Sequence, residues 1–257
     1  MIKRPHQIGF SQRVRLEWLE RTANLLLAGM GEAEIQHALQ HFLCDKLSVG
    51  GTSPRGTREK AITILMKVWV TVPHEHRALR ADGLRLLQEL PQRDQLVIHW
   101  GMSIAAYPFV AGIASHVGRL LCLQGTAAAA QVQRRACEKY GERETVSRAA
   151  RRVLRTFVDW GVLAEGPERG VYVAGQTLAI THPYLTAWLV EAALYTEEIG
   201  KASVQALLQS PAFFPFRLDA YSPGILARAD RIELVRHGLD DDMLILRQVT
   251  EPSSKRT

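Results

Sequence analysis

The stretch Glu142–Ala174 limits the fold more than any other part of the chain. Its first half carries apolar residues at Val146, Ala149, Ala150, Val153, Leu154, Phe157 and Val158. This is the spacing of a helix with one buried face. Arg148, Arg151, Arg152 and Arg155 recur at i, i+3, i+4 and i+7, so all four share one face of that helix. Gly161 supplies a helix stop. Two short β-prone runs follow, Val162–Ala164 and Val171–Val173, separated by the turn-rich Glu165–Gly170. A basic helix running directly into a small hairpin is the layout of a winged helix-turn-helix.

The position of the charge supports a polyanion site there. The chain has 257 residues and a formal net charge of +6. Between Arg134 and Arg155 stand eight basic residues, including Arg134 and Arg135, against the acids Glu138, Glu142 and Glu144, a difference of +5. Nearly all of the excess is therefore concentrated in one helix pair, as expected of a nucleic-acid surface. A solvated helix face would carry the same pattern, and the hairpin is what distinguishes the two. The hairpin turn has one base, Arg169, offset by Glu165 and Glu168.

Upstream, helical spacing predicts a hairpin of helices, Leu16–Ala28 and Ala33–Cys44. After the small-residue loop Ser48–Thr57 comes a third helix, Arg58–Val70, with Thr57 as its expected N-cap. Arg55, Arg58 and Lys60 crowd its start, where free backbone N–H groups can hold a phosphate. The other reading is a charged loop. A short helix is expected at Gly83–Glu89, and two apolar helices, Arg93–Tyr107 and Phe109–Leu123, meet at Pro108 as the expected hydrophobic centre. Thr126–Tyr140 reads as one Ala-rich helix beneath the basic one. Beyond the hairpin are a helix from His182–Pro183 to Glu198 and a shorter one, Ala202–Gln209. The strap Ser210–Pro223 is rich in proline and aromatics, and a second hairpin is expected from Arg231–Val235 and Met243–Leu246. The first 13 residues read as basic and loosely ordered, with Ile8 and Phe10 able to dock, and the tail from Thr250 reads as disordered.

The expected fold is mainly α. A helical bundle occupies 1–120, a winged helix-turn-helix module 121–180, and a helical and hairpin extension 181–257. Cys44, Cys122 and Cys137 form no CxxC pair, which suits reduced thiols in a cytoplasm. The N-terminus lacks the apolar core of a signal peptide. No apolar run reaches the length of a membrane span, and the most apolar stretch, Met102–Ala114, is broken by Pro108 and Gly112.

Motifs for catalysis are not found. His74-Glu75-His76 lacks the i, i+4 spacing of a helical zinc pair and reads as a solvated loop cluster. Asp240-Asp241-Asp242 reads as a polar turn, although carboxylates can hold a hard cation. A nuclease arrangement of Asp219 and Glu233 would want a lysine where the chain has Val235. No phosphate-binding loop, dinucleotide fingerprint or nucleophile elbow is present. The expectation is a protein without catalytic residues, cofactor or metal.

Three stretches together resemble the BrxA family of BREX phage-defence systems. The first is NLLLAGMGEAEIQHALQHFLCDKLS with TREKAITILMKVW after a small-residue loop. The second is RDQLVIHWGMSIAAYPFVAGIASHVGRLL, and the third is RETVSRAARRVLRTFVDWGVLAEG. Order and spacing match over roughly residues 10–175, while the chain is longer than the family pattern and its end, about 200–250, is additional or divergent. The resemblance implies a small, helical, non-enzymatic accessory protein that binds double-stranded DNA and acts with other BREX components. It carries over no catalytic residue. The expected DNA contacts are Arg148, Arg151, Arg152 and Arg155, flanked by Arg134, Arg135 and Arg169, with Arg55, Arg58 and Lys60 as a second basic group. The other reading makes the winged helix a protein-docking surface in a scaffold subunit.

Overall fold

Helix α5 (Gln95–Ala106) is predominantly apolar, and every residue from Leu96 to Ala106 is buried, His99 and Ser103 included. A helix of this kind has to be enclosed by others. In the computed structural model, which describes residues 8–47, 56–197, 199–219, 224, 231–237 and 241–247, it is the central element. Pro108 cannot continue α5, because its ring removes a donor and clashes with the preceding turn. It is instead the first residue of α6 (Pro108–Gln124). The α5 segment and α6 diverge by 117°, and no single helix among the described residues is long and apolar enough to cross a membrane. The stretch Met102–Ala114 is buried apart from half-buried Pro108, as core.

Helices α1 (Leu16–Leu27), α2 (Glu32–Phe42) and α3 (Thr57–Trp69) pack on one another, and both α1 and α3 reach α5. Gly56, and not Thr57, is the N-cap of α3. Helix α4 (Arg77–Glu89) begins earlier than the apolar pattern suggests, continuing a 3₁₀ turn at His74–His76. That turn departs from the solvated cluster expected: His76 is 1% exposed. Its ring lies edge-on to Tyr195, with centroids 4.6 Å apart. Helix α9 (Pro183–Leu194) crosses α5 closely. At Gly101 an added Cβ would lie 2.4 Å from Trp188 Cζ3, so only glycine allows this approach.

The Ala-rich stretch divides into two elements where one helix was expected. Thr126–Ala128 is strand β1, and only Ala129–Tyr140 is helix, α7. Gly125 ends α6 at φ +71°. The next three residues then pair antiparallel with β3 (Val171–Ala174), Thr126 opposite Val173 and Ala128 opposite Val171. Pairing across the sheet overrides alanine's helical preference here. Helix α8 (Glu144–Asp159) ends at Gly161, φ +72°. Strand β2 (Leu163–Glu165) completes a sheet of order β1-β3-β2.

Strand β4 (Leu178–Ile180) pairs in parallel with β6 (Phe216–Leu218). The proline-rich strap is thus a 3₁₀ turn at Pro211–Phe213 followed by a strand, with residues 220–223 outside the described set. Strand β5 (Lys201–Ser203) precedes the short α10 (Val204–Leu208). The expected second hairpin is formed by β7 (Ile232–His237) and β8 (Asp241–Leu246), with β5 added to β8. Arg231 anchors it, donating Nε to Glu191 Oε1 at 2.7 Å and Nη2 to Asp82 Oδ2 at 2.6 Å. Glu191 is 2% exposed, and burial raises its pKa against the pull of Arg231. The architecture is therefore mainly helical with three small sheets among the described residues, around one apolar cluster running from Phe10 to Leu244.

Candidate nucleic-acid interface

Helix α8 has two chemically opposite faces. Val146, Ala149, Ala150, Val153, Leu154 and Phe157 are buried, while Arg148, Arg151 and Arg152 point outward and are exposed. The inner face is fixed by aromatic packing. Phe157 stacks on Trp100 of α5 with centroids 4.8 Å apart. Trp160 and the strap residues Phe214 and Phe216 meet the same indole at 5.9, 5.7 and 5.4 Å. Such a cluster leaves α8 little freedom to rotate, so the arginine face has a defined outward direction.

The four arginines of α8 differ in what they touch. Arg148 is bound within its own helix, with Nε 2.8 Å from Glu144 Oε1. Arg155 is half-buried and pairs with Glu165 of β2. The hydrogen bond to Glu165 raises the Arg155 pKa, burial opposes this, and Tyr172 assists. Arg151 reaches Gln133 of α7 at 3.5 Å, the outer limit for a hydrogen bond. Arg152 has no side-chain partner among the described residues. Both Arg151 and Arg152 are thus available to an external anion without breaking an ion pair.

The helix beneath adds to the basic surface. Arg134 and Arg135 of α7 are exposed and share one acid, Glu138, at 3.7 and 3.1 Å. Exposed pairs like these contribute at most about 1 kcal/mol and exchange readily with another anion. Arg169 is exposed at the tip of the β2–β3 turn, beside Glu168. That turn is tied to α7, because Ala129 N–H donates to the Gly170 carbonyl at 2.8 Å.

The second basic group of the sequence is placed elsewhere. Arg58 and Lys60 belong to α3, which packs on α1, α2 and α5. The Arg58 guanidinium caps the chain after α2, donating to the carbonyls of Cys44 at 2.7 Å and Leu47 at 3.2 Å. Lys60 is exposed, and Arg55 lies outside the described residues. Helices α7 and α8, packed on each other, carry Arg134, Arg135, Arg148, Arg151, Arg152 and Arg155 between them, and Arg58 has a structural occupation.

Sequence reasoning missed the polar groups that organise this surface. Ser147 Oγ lies 2.7 Å from Gln133 Oε1, joining α8 to α7. The i, i+4 spacing of Glu144 and Arg148 is a readable signal for their pairing. Nothing local marks Glu165 as the partner of Arg155. Asp219, the acid a nuclease arrangement would use, is exposed and paired with Arg217 at 2.8 Å. Among the described residues no three His, Cys, Asp or Glu side chains are grouped to hold a metal ion, and Asp240 lies outside that set. Comparison of the chain with protein-family models, curated proteins and solved structures gives no match.

Proposed function

We propose that α6 to β3 form a winged helix-turn-helix module that binds double-stranded DNA with little sequence preference, through the outward face of α8. The observation that carries this reading is the arginine face itself: Arg148, Arg151 and Arg152 exposed on a helix whose opposite face is buried. The order α6–β1–α7–α8–β2–β3, with sheet order β1-β3-β2, agrees with it. Arginines on such a helix would contact phosphates first, which positions the helix without reading sequence. The cellular role in the proposal is that of a cytoplasmic, non-enzymatic accessory of a BREX-type phage-defence system. It rests on the resemblance over roughly residues 10–175.

The test is retention of a mixed-sequence duplex by the wild type and by a variant with Arg148, Arg151, Arg152 and Arg155 all changed to Ala. Retention should disappear in the variant while its helical content and melting temperature stay near wild type. The defence role is tested by plating phage on a host with the rest of the system, with and without this gene.

One feature favours a second reading, a protein-docking scaffold. Leu123 is 83% exposed at the rim of a groove lined by Leu121, Phe213 and Phe214. Unchanged DNA retention in the arginine variant, together with loss of a co-purifying partner protein, would select that reading.

A further inference from the structure

A second feature has no α8 residue in its lining. Between α6, the end of α7 and the α9–β5–α10 segment is a cleft of about 490 Å³. This is within the range of small-molecule sites. Its polar wall carries Lys139 and Tyr140 from α7, Ser115 from α6 and Lys201 from β5, while Ile199 and Pro108 supply apolar surface.

Neither lysine has a carboxylate partner among the described residues, and Glu138, next to Lys139, is occupied by Arg134 and Arg135. Among the described residues of the wall there is one acid, Glu197, against the two lysines. The Tyr140 ring is pressed on the backbone of α6: a Cβ at Gly112 would lie 2.0 Å from Tyr140 Oη. Burial pushes the Tyr140 phenol up to about 12, so it stays a neutral O–H donor at physiological pH. Neither its hydroxyl nor that of Ser115 has a hydrogen-bond partner among the described residues. Two ammonium groups and two free hydroxyls make the wall rich in donors. Lysine ammonium groups favour compact, highly charged oxyanions such as phosphate.

We propose that this cleft binds a small organic phosphate of nucleotide size, its phosphate between Lys139 and Lys201 and its organic body against Ile199 and Pro108. The Tyr140 and Ser115 hydroxyls donate to it. The site is independent of the arginines of α8, so it stands or falls apart from the DNA reading.

The experiment is calorimetric titration of the full chain with each of the four ribonucleoside monophosphates, with inorganic phosphate and a free nucleoside as separate arms. At least one nucleotide should bind, and more tightly than either fragment. Lys139→Gln and Lys201→Gln should each weaken it about tenfold, the effect of removing one charge-assisted hydrogen bond. Tyr140→Phe should weaken it less, and Arg151→Ala with Arg152→Ala should leave it unchanged. No binding of any of the four at millimolar concentration would overturn the proposal. So would binding of equal strength in the folded Lys139→Gln/Lys201→Gln double variant.

Discussion

Arg13 and Asp159, 146 positions apart in sequence, form a two-point ion pair in which Nε and Nη2 of the guanidinium meet both carboxylate oxygens. The contact joins the segment before α1 to the last turn of α8. Val14 N–H donates to Thr156 Oγ1 at 3.0 Å, and Trp160 Nε1 donates to the Val14 carbonyl at 3.0 Å. Arg13→Ala should therefore destabilise the protein by about 1 kcal/mol, since the arginine is partly exposed. For a chain of this size that is a fall in Tm of roughly 2–4 °C. Hydrogen exchange at the Val14 amide should quicken in the same variant. Unchanged exchange there would mean that the segment holds to α8 without the pair.

His99 makes stability depend on pH. The side chain is wholly buried beside Trp69, with neither ring nitrogen hydrogen-bonded, and burial pushes its pKa down from 6.5 to about 3. The folded protein keeps this ring neutral to about pH 3, while the unfolded chain protonates it below about 6.5. The unfolded state thus gains a proton first. Stability conferred by the neutral ring is present above pH 6.5 and is lost as pH falls from 6.5 towards 3. The slope from this group approaches about 1.4 kcal/mol per pH unit. Urea unfolding at several pH values should show a shallower acid slope for His99→Leu than for wild type. Equal slopes would contradict the assignment.

The close crossing of α5 and α9 predicts a large cost for a small change. Gly101→Ala would drive a methyl group into Trp188, 2.4 Å away. Overpacking of this kind costs about 1–3 kcal/mol. Chemical denaturation should show the destabilisation, and the tryptophan near-ultraviolet circular dichroism should change with it.

Glu165 competes with any external anion for Arg155. Changing it to Gln removes a carboxylate from the proposed interface and frees the guanidinium. Affinity for a DNA duplex at low salt should rise, by up to about fivefold given the modest strength of exposed pairs. A fall in affinity would mean that Glu165 orients Arg155 for DNA.

The buried side of this molecule is legible in the sequence because periodicity reports burial directly. Val146, Val153 and Phe157 can be assigned to the inner face of α8, and Leu96 and Trp100 to the centre, from spacing alone. Strand β1 is not legible, because Thr126–Ala128 has no local strand signal apart from one threonine, and its partner β3 lies some 45 residues on. The docking of Phe10 on Tyr107, with centroids 5.4 Å apart, can be anticipated from its apolar character. The Arg13–Asp159 pair cannot, because many acids lie within reach of a flexible arginine and only the fold selects one. The same limit applies to the site. Four arginines can be placed on one face from their spacing, but which are bound to acids depends on Glu165, contributed by a strand across a turn. Arg58 looks equally available in sequence, and its role in holding the Cys44 and Leu47 carbonyls is a tertiary property.

The most direct test of the DNA reading is the salt dependence of duplex binding for the wild type and for the Arg151→Ala/Arg152→Ala variant. These are the two α8 arginines with no ion pair to break. For the wild type, log Kobs should fall linearly and steeply with log salt concentration. In the variant the slope should be shallower by about two, one for each arginine taken away from a phosphate. Binding that ignores salt, or an identical slope in the two proteins, would contradict the account.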